Sequence, residues 1–541
     1  MSSLHPTRIA QRLEQLTEVA VELGGSMDID VLLERILLVA KGMTHADGGT
    51  LYRPGLERDT LCFHISLNDT LAIHQGGTSG KPIGIPPVPL VDADGRQNLA
   101  SVAAFAANRG ESVNIADVYQ ADGFNFSGMR SFDATFGYRT QSILTVPMRD
   151  NDGELIGVLQ LINARDQDSV DGSAVIAFSD TDQRFIEALA SQAAVAITRE
   201  QLVAQLEALL EGVVNLINLG IDEKSPYTGR HCQFVPELTM MLAEAVHRTD
   251  SGPMADFRMT DGDRKELWLA GLLHDCGKIT TPVHIVDKAT KLETIHDRIH
   301  LVDTRFEVLL RDAHIRALED KLAGADAAVV EARLADEQAA LRADRNFLRG
   351  VNVGCEGMKA IDQERVRTIA RRRWIGCDGV ALPFLSDDEV DNLNVKYGTL
   401  LPSERKIINN HIVMSIRMLE SLPWPKHLKN VPEYAGGHHE RVDGKGYPRG
   451  LTRDQMPVQA RIMAIADIFE ALSARDRPYK KGKMLSESLR ILGQFSLNGH
   501  IDPDLFDIFI RSKSYMEFAH RTMDASQIDP IDESAIPGYR P

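Results

Sequence analysis

Gly436-Gly437-His438-His439-Glu440-Arg441-Val442-Asp443-Gly444-Lys445-Gly446-Tyr447-Pro448 sets two adjacent histidines before a glycine-rich turn. Upstream, Leu272-Leu273-His274-Asp275-Cys276-Gly277-Lys278 places His and Asp side by side at the end of an apolar helix. Downstream, Ala464-Ile465-Ala466-Asp467-Ile468-Phe469-Glu470-Ala471-Leu472 puts an aspartate inside another apolar helix, where a carboxylate is costly unless paired or bound to metal. Singly these are weak signals, because a lone His on an apolar face is usually a satisfied core residue. A His-Asp, a His-His and a buried Asp within one helical half read together as a ligand set. Imidazole with carboxylate suits Fe, Mn, Zn or Ni. A carboxylate beside a His can bridge two ions, and paired ions activate water and clamp a phosphate diester.

These phrases, with Pro226-Tyr227-Thr228-Gly229-Arg230-His231 before them and Arg477-Pro478-Tyr479-Lys480 after them, resemble the HD-GYP branch of the HD phosphohydrolases. The resemblance implies an all-α HD-superfamily domain over about 223–520. It also implies a metal-dependent phosphodiesterase that cleaves cyclic di-GMP to linear pGpG, to GMP or to both. Two divalent ions, Fe or Mn, are expected. Carried over by motif, His231, His274 and Asp467 hold one ion and Asp275 bridges it to the second. His438 and His439 hold the second with a further His. That residue is expected at His411, which opens a helix leading through an apolar segment to the His-His pair; His284, His296 and His300 are the runners-up. Asp275 and Lys278 are the expected catalytic residues. Lys278, Tyr447, Arg477 and Lys480 are expected on the substrate.

The pattern departs from the family in two places. Asp275 and His411 lie 136 residues apart, so residues 302–399 read as an insertion, either a lid or partner surface or a peripheral extension. Its Ala-, Glu- and Arg-rich first half reads as a helical hairpin turning near Gly324-Ala325-Asp326. Tyr227 stands where some members have a Glu for a third ion, which favours two ions. Ser225 replaces a usual Asp, and Asp222 lies further back. Two rival functions remain open: action on another cyclic dinucleotide, and a non-catalytic cyclic di-GMP receptor that signals through partner proteins.

The first 190 residues read differently. Helical spacing covers 8–43, with Asp28 as a cap. Strand-like runs follow at 48–52, 60–65 and 141–147. Asn151-Asp152-Gly153-Glu154 is a turn signal before the buried run Leu155–Asn163. Gly137-Tyr138-Arg139-Thr140-Gln141-Ser142-Ile143-Leu144-Thr145-Val146-Pro147 and Gly157-Val158-Leu159-Gln160-Leu161-Ile162-Asn163 resemble GAF domains, including the cyclic-nucleotide-binding ones. This implies an α+β sensor with an antiparallel sheet and flanking helices. Of the dispersed nucleotide signature, Asn163, Phe178 and Asp182 are present, while Ala164 and Gln183 depart from it. A small-molecule or cyclic-nucleotide ligand, or a purely dimerising role, are the two expectations.

Residues 183–222 read as one helix, with Leu189, Ala193, Ile197, Leu202, Leu206, Leu209, Val213 and Leu216 at 3–5 residue steps. The expected linker, 191–222, would pair with its copy in a homodimer. Residues 521–541 are expected as a tail.

The composition fits this multidomain reading. Across 541 residues, 43% are hydrophobic and 25% charged, an ordinary globular balance. A net charge of −17 gives no global field for a nucleic-acid polymer, so an anionic substrate needs a local basic pocket. The five cysteines form no C-x-x-C pair, which suits a reducing cytoplasm. The N-terminus reads as lacking a secretory signal, and no apolar run reads as a membrane span.

Overall fold

The structure is a computed structural model. It describes residues 28–541 apart from 93, 168, 170–173, 225, 355–356, 377 and 475–481, and the side chains of 226–229 are also outside the description. The chain divides into two compact units, Met1–Leu210 and Glu211–Pro541. The helical reading of 8–27 lies outside the described residues.

In the first unit, α1 (Ile29–Thr44) begins at Asp28, whose carboxylate accepts the Asp30 N–H at 2.8 Å. Strands β1 (Ala46–Pro54), β2 (Thr60–Asn68), β3 (Ile73–Gly76), β4 (Val113–Ile115), β5 (Ile143–Arg149) and β6 (Leu155–Arg165) build an antiparallel sheet in the order β3-β2-β1-β6-β5-β4. Two-residue strands at Val88–Pro89 and Val175–Ile176 extend it. The two quoted GAF-like phrases are therefore neighbours in the sheet. The Asn163 side chain ties them together. It accepts the Gln141 N–H at 2.7 Å and donates to the Arg139 carbonyl at 2.8 Å. Helices α2 (Val102–Arg109) and α3 (Ser127–Phe136) flank the sheet.

Helix α4 runs from Asp180 to Lys224. Its periodic stripe meets two environments. Leu189, Ala193 and Ile197 pack into the core formed by α1 and the sheet, whereas Leu202, Leu206, Leu209, Val213 and Leu216 are exposed. By length and composition alone one stretch of α4 could cross a membrane, and almost none of it is buried. That differs from the sequence reading, which weighed charges within short runs and not the whole helix.

The second unit is helical. Helices α5 (Pro226–His247), α6 (Asp261–Leu273), α12 (His411–Glu420), α13 (Val431–Gly436) and α14 (Val458–Ser473) surround the site described below. Between α6 and α12 lie α7 (Ile299–Leu322), α8 (Ala327–Asn352), α9 (Ala360–Ala370), α10 (Asp387–Leu393) and α11 (Pro402–Asn409). α7 and α8 form the expected hairpin, turning at Gly324, whose φ of 94° favours glycine. This segment has a core of its own, in which Val302, Phe306, Leu348, Val366, Phe384 and Leu393 are buried together. It also contains one small β-hairpin, Arg373–Ile375 with Ala381–Pro383, which helical periodicity gave no cause to expect. The fully buried Lys288 ties α10 to α11, donating to Asn392 and pairing with Glu404, each at 2.8 Å.

The chain closes with α15 (Leu485–Leu497), α16 (Pro503–Arg511) and α17 (Ser514–Thr522). The residues after α17 pack on the unit. Buried Gln527 donates to the Ser473 and Lys483 carbonyls. Arg540 pairs with Asp504 and Asp507 at 2.7 Å.

Candidate metal centre

Five helices and the turns that follow two of them deliver the site. His231 lies on α5. His274 and Asp275 follow the last turn of α6, which a Thr260–Asp263 capping box starts. His411 opens α12, His438 and His439 follow α13, and Asp467 lies within α14. Gly277 allows α12 to approach the turn after Asp275, because a Cβ there would sit 2.0 Å from the His411 carbonyl oxygen. The Gly277 N–H donates to Ser415 Oγ at 2.8 Å, fixing the two pieces together.

The side chains gather in two groups: His231 with His274 and Asp275, and His411 with His438 and His439. His231 Nε2 lies 3.3 Å from His274 Nε2 and 3.0 Å from Asp467 Oδ1. His411 Nε2 lies 3.3 Å from His439 Nε2 and 3.1 Å from Asp275 Oδ1. Asp275 thus spans the groups, since its Oδ2 stands 3.3 Å from both His231 Nε2 and His274 Nε2.

Backbone carbonyls set the tautomers. His274 Nδ1 faces the Gly271 oxygen at 2.7 Å, His411 Nδ1 the Ile408 oxygen at 2.6 Å and His438 Nδ1 the Ala435 oxygen at 2.6 Å. A carbonyl cannot donate, so each Nδ1 carries the hydrogen, which leaves Nε2 as the ring nitrogen able to present a lone pair. His438 Nε2 and Asp275 Oδ1 are buried and make no hydrogen bond. Buried lone pairs turned toward one another, from imidazole and carboxylate, fit divalent cations. His231, His274 and Asp467 could hold one ion, His411, His438 and His439 another, with Asp275 between.

Charge follows the same plan. Burial would raise Asp275, but Lys278 and His274 override it and hold the carboxyl well below its usual range. Asp467 is likewise low despite burial, through His231. Burial, with His439 and His274 nearby, keeps His438 well below its ordinary value, and burial takes His439 down to about 4. His231 goes the other way: Glu470, Asp275 and Asp467 outweigh its burial and raise it. Lys278 contacts Asp275 directly.

Glu470 was not among the expected site residues. It is buried and meets His231 Nδ1, as a carboxylate that orients an imidazole for a metal would. The available signal was its place one turn after Asp467 on the same face of α14. Glu440 is the second omission. Its carboxylate accepts the Arg449 and Leu451 N–H groups at 2.7 and 2.9 Å, closing the glycine-rich loop. Gly446 is required there, because a Cβ would come within 2.5 Å of Glu440 Cα. That loop stacks Tyr447 on His439, ring centroids 4.9 Å apart. A cavity of about 490 Å³ opens beside His439, Asp467 and Tyr447. Arg477 and Lys480 lie outside the described residues, as do Ser225 and the Tyr227 side chain. His284, His296 and His300 are exposed and belong to neither group.

Comparison with known proteins places both halves. A GAF-domain family model matches residues 28–197, and two HD-domain family models match 228–339 and 383–505. The chain carries a GAF domain followed by an HD domain. Over 250 residues it is 28% identical to a probable cyclic di-GMP phosphodiesterase of Vibrio cholerae, spanning 44% of this chain and 54% of that one. A cyclic di-GMP phosphodiesterase of Thermotoga maritima is 36% identical over 132 residues, 24% of this chain and 35% of the relative. A 3'3'-cGAMP-specific phosphodiesterase 1 of Vibrio cholerae is 42% identical over 90 residues, 16% of this chain and 21% of the relative. The chain thus spans about half or less of the length of these curated relatives. The HD domain holds both His/Asp groups, and the break between its two matched stretches falls within the α7–α10 segment.

Proposed function

We propose that the chain is a metal-dependent phosphodiesterase that hydrolyses cyclic di-GMP to pGpG, GMP or both. The observation that carries this is the convergence of His231, His274, Asp275, His411, His438, His439 and Asp467, with buried lone pairs facing one another, beside a cavity. Two divalent ions, iron or manganese, are the proposed complement. When bound, such ions supply charge stabilisation on the phosphate and a water acidic enough to react near neutral pH. The chain's own groups do the rest. Asp275 spans both groups. Lys278, held against Asp275, brings a cation to the phosphate or the leaving oxygen. Glu470 orients His231. Tyr447 closes the cavity over His439, and Arg477 with Lys480 is proposed to clamp the phosphates.

Substrate identity rests on the relatives. Those named for 3'3'-cGAMP favour a second reading, a hybrid cyclic dinucleotide, for the same centre. Turnover of each dinucleotide by the Fe(II)- or Mn(II)-reconstituted protein, followed by chromatography, separates them. No turnover with two ions bound and tight cyclic di-GMP binding overturns the enzyme and leaves a receptor.

The GAF domain is the proposed regulator, with a small molecule or cyclic nucleotide as its ligand. The exposed face of α4 supports a homodimer. Leu202, Leu206, Leu209, Val213 and Leu216 follow alternating four- and three-residue steps, the spacing of a coiled-coil seam. A membrane fits it poorly. Glu200, Glu207 and Glu211 interrupt its exposed stretch, where a span needs roughly 20 predominantly apolar residues. Free Cys62, Cys232 and Cys276 support a reducing cytoplasm as the working location. The proposed domain bounds are 1–190, 191–222, 223–520 with an insertion at 302–399, and a closing segment at 521–541.

A further inference from the structure

We propose that Phe495 and His500 form a nucleobase-stacking platform in the wall of the cavity beside the metal centre, a reading that rests on the dinucleotide substrate proposed above. The cavity reaches from His439 and Asp467 at the centre to Phe495 and His500. These two rings are stacked, centroids 4.7 Å apart and planes 28° apart. Arg441, Lys445 and Lys483 also line the cavity, the first two beside Asp443 and the third paired with Glu487.

The platform is held in place. The His500 N–H donates to the Phe495 carbonyl at 2.9 Å. One residue earlier, the Gly499 carbonyl accepts the Asp443 N–H at 3.0 Å. Arg441 donates to the Asn498 carbonyl at 3.3 Å and pairs with Asp443 through two hydrogen bonds of 2.9 and 2.7 Å. The 498–500 turn is thus fastened to the loop that stacks Tyr447 on His439. Hydrolysis of a phosphodiester needs no aromatic surface away from the ions. A cyclic dinucleotide brings two purines, and each offers a π-face to an aromatic ring. The cavity volume falls within the usual range for small-molecule sites.

The test compares two phosphodiesters on the metal-reconstituted full chain: cyclic di-GMP, and bis(p-nitrophenyl) phosphate, which has no purine. His500→Ala and Phe495→Leu are expected to lower the ratio of kcat/KM for cyclic di-GMP to that for the small ester by about tenfold, mainly through KM. His500→Phe, which keeps an aromatic face, is expected to stay within about threefold of the parent. Calorimetric titration of metal-free protein with cyclic di-GMP should show a matching rise in Kd for His500→Ala. An unchanged ratio and Kd in folded His500→Ala and Phe495→Leu overturns the platform. A parent protein that cleaves the small ester and no cyclic dinucleotide overturns the substrate reading, and the platform with it.

Discussion

Both halves of the chain bury aspartates, and they treat them in opposite ways. In the GAF domain, Asp47 accepts hydrogen bonds from Thr70 at 2.8 Å and Tyr138 at 2.5 Å and pairs with Arg165. Asp133 accepts from Thr140 twice and from Tyr119, each at 2.8 Å. In the HD domain, Asp275 leaves Oδ1 without a hydrogen bond, 3.1 Å from a histidine nitrogen. Polar groups partnered on every side hold a fold together. Polar groups whose lone pairs face one another hold a ligand. The same contrast runs through the GAF signature residues. Asp182 accepts from the Ser179 N–H and hydroxyl at 2.9 and 2.7 Å at the start of α4, so its carboxylate serves the helix.

Asp275→Ala strikes the contrast hardest. It is expected to cost at least one bound ion per chain and to slow turnover by about 10³-fold or more, since such ions contribute several kcal/mol to the transition state. Metal analysis beside the turnover assay checks both. Glu470→Gln keeps the shape and removes the charge behind His231. A chelator competition should show metal affinity falling about 10- to 100-fold, with the thermal transition little moved. If affinity holds, Glu470 belongs with the partnered aspartates of the first half.

Asp47→Asn sharpens the other side. It should destabilise the GAF domain by about 1–3 kcal/mol and leave metal content unchanged. Burial would raise Asp47, but Tyr138, Thr70 and Arg165 hold it low. Its stabilisation is therefore complete above the ordinary aspartate value of 3.8 and is lost as pH falls below it. Acid unfolding of the parent should show this loss, and the variant should lack it. The smallest effect on the metal centre is expected from Leu206→Glu with Leu209→Glu. Light scattering should report a dimer in the parent and a monomer in the variant, with two ions still bound by each.

The sequence revealed whatever short-range spacing encodes. The His-Asp, His-His and Asp467 phrases are each local, and the fold gathers them. His411 could be named because the HD-GYP resemblance implies a third His at the start of a helix leading to the His-His pair. Strands β1, β2, β5 and β6 of the GAF domain were legible from short strand-like runs and one turn signal, while β3 and β4 were not read from the sequence. What escaped depends on distant packing. Glu470 looked like an ordinary helical glutamate until His231, 239 residues away in sequence, met it. Phe495 and His500 gain meaning from the 441–443 loop. The stripe on α4 has a single spacing and two fates, because periodicity marks an apolar face and not what covers it. The closing segment read only as a tail, and its anchors, Gln527 on Ser473 and Lys483 and Arg540 on Asp504 and Asp507, depend on residues far away in sequence.

The most direct measurement is the metal content of the protein purified and reconstituted anaerobically with Fe(II) or Mn(II), counted per chain beside Asp275→Ala. Two ions per chain in the parent and fewer in the variant are the predicted result. A parent chain that binds no ion while folded would contradict the account at its centre.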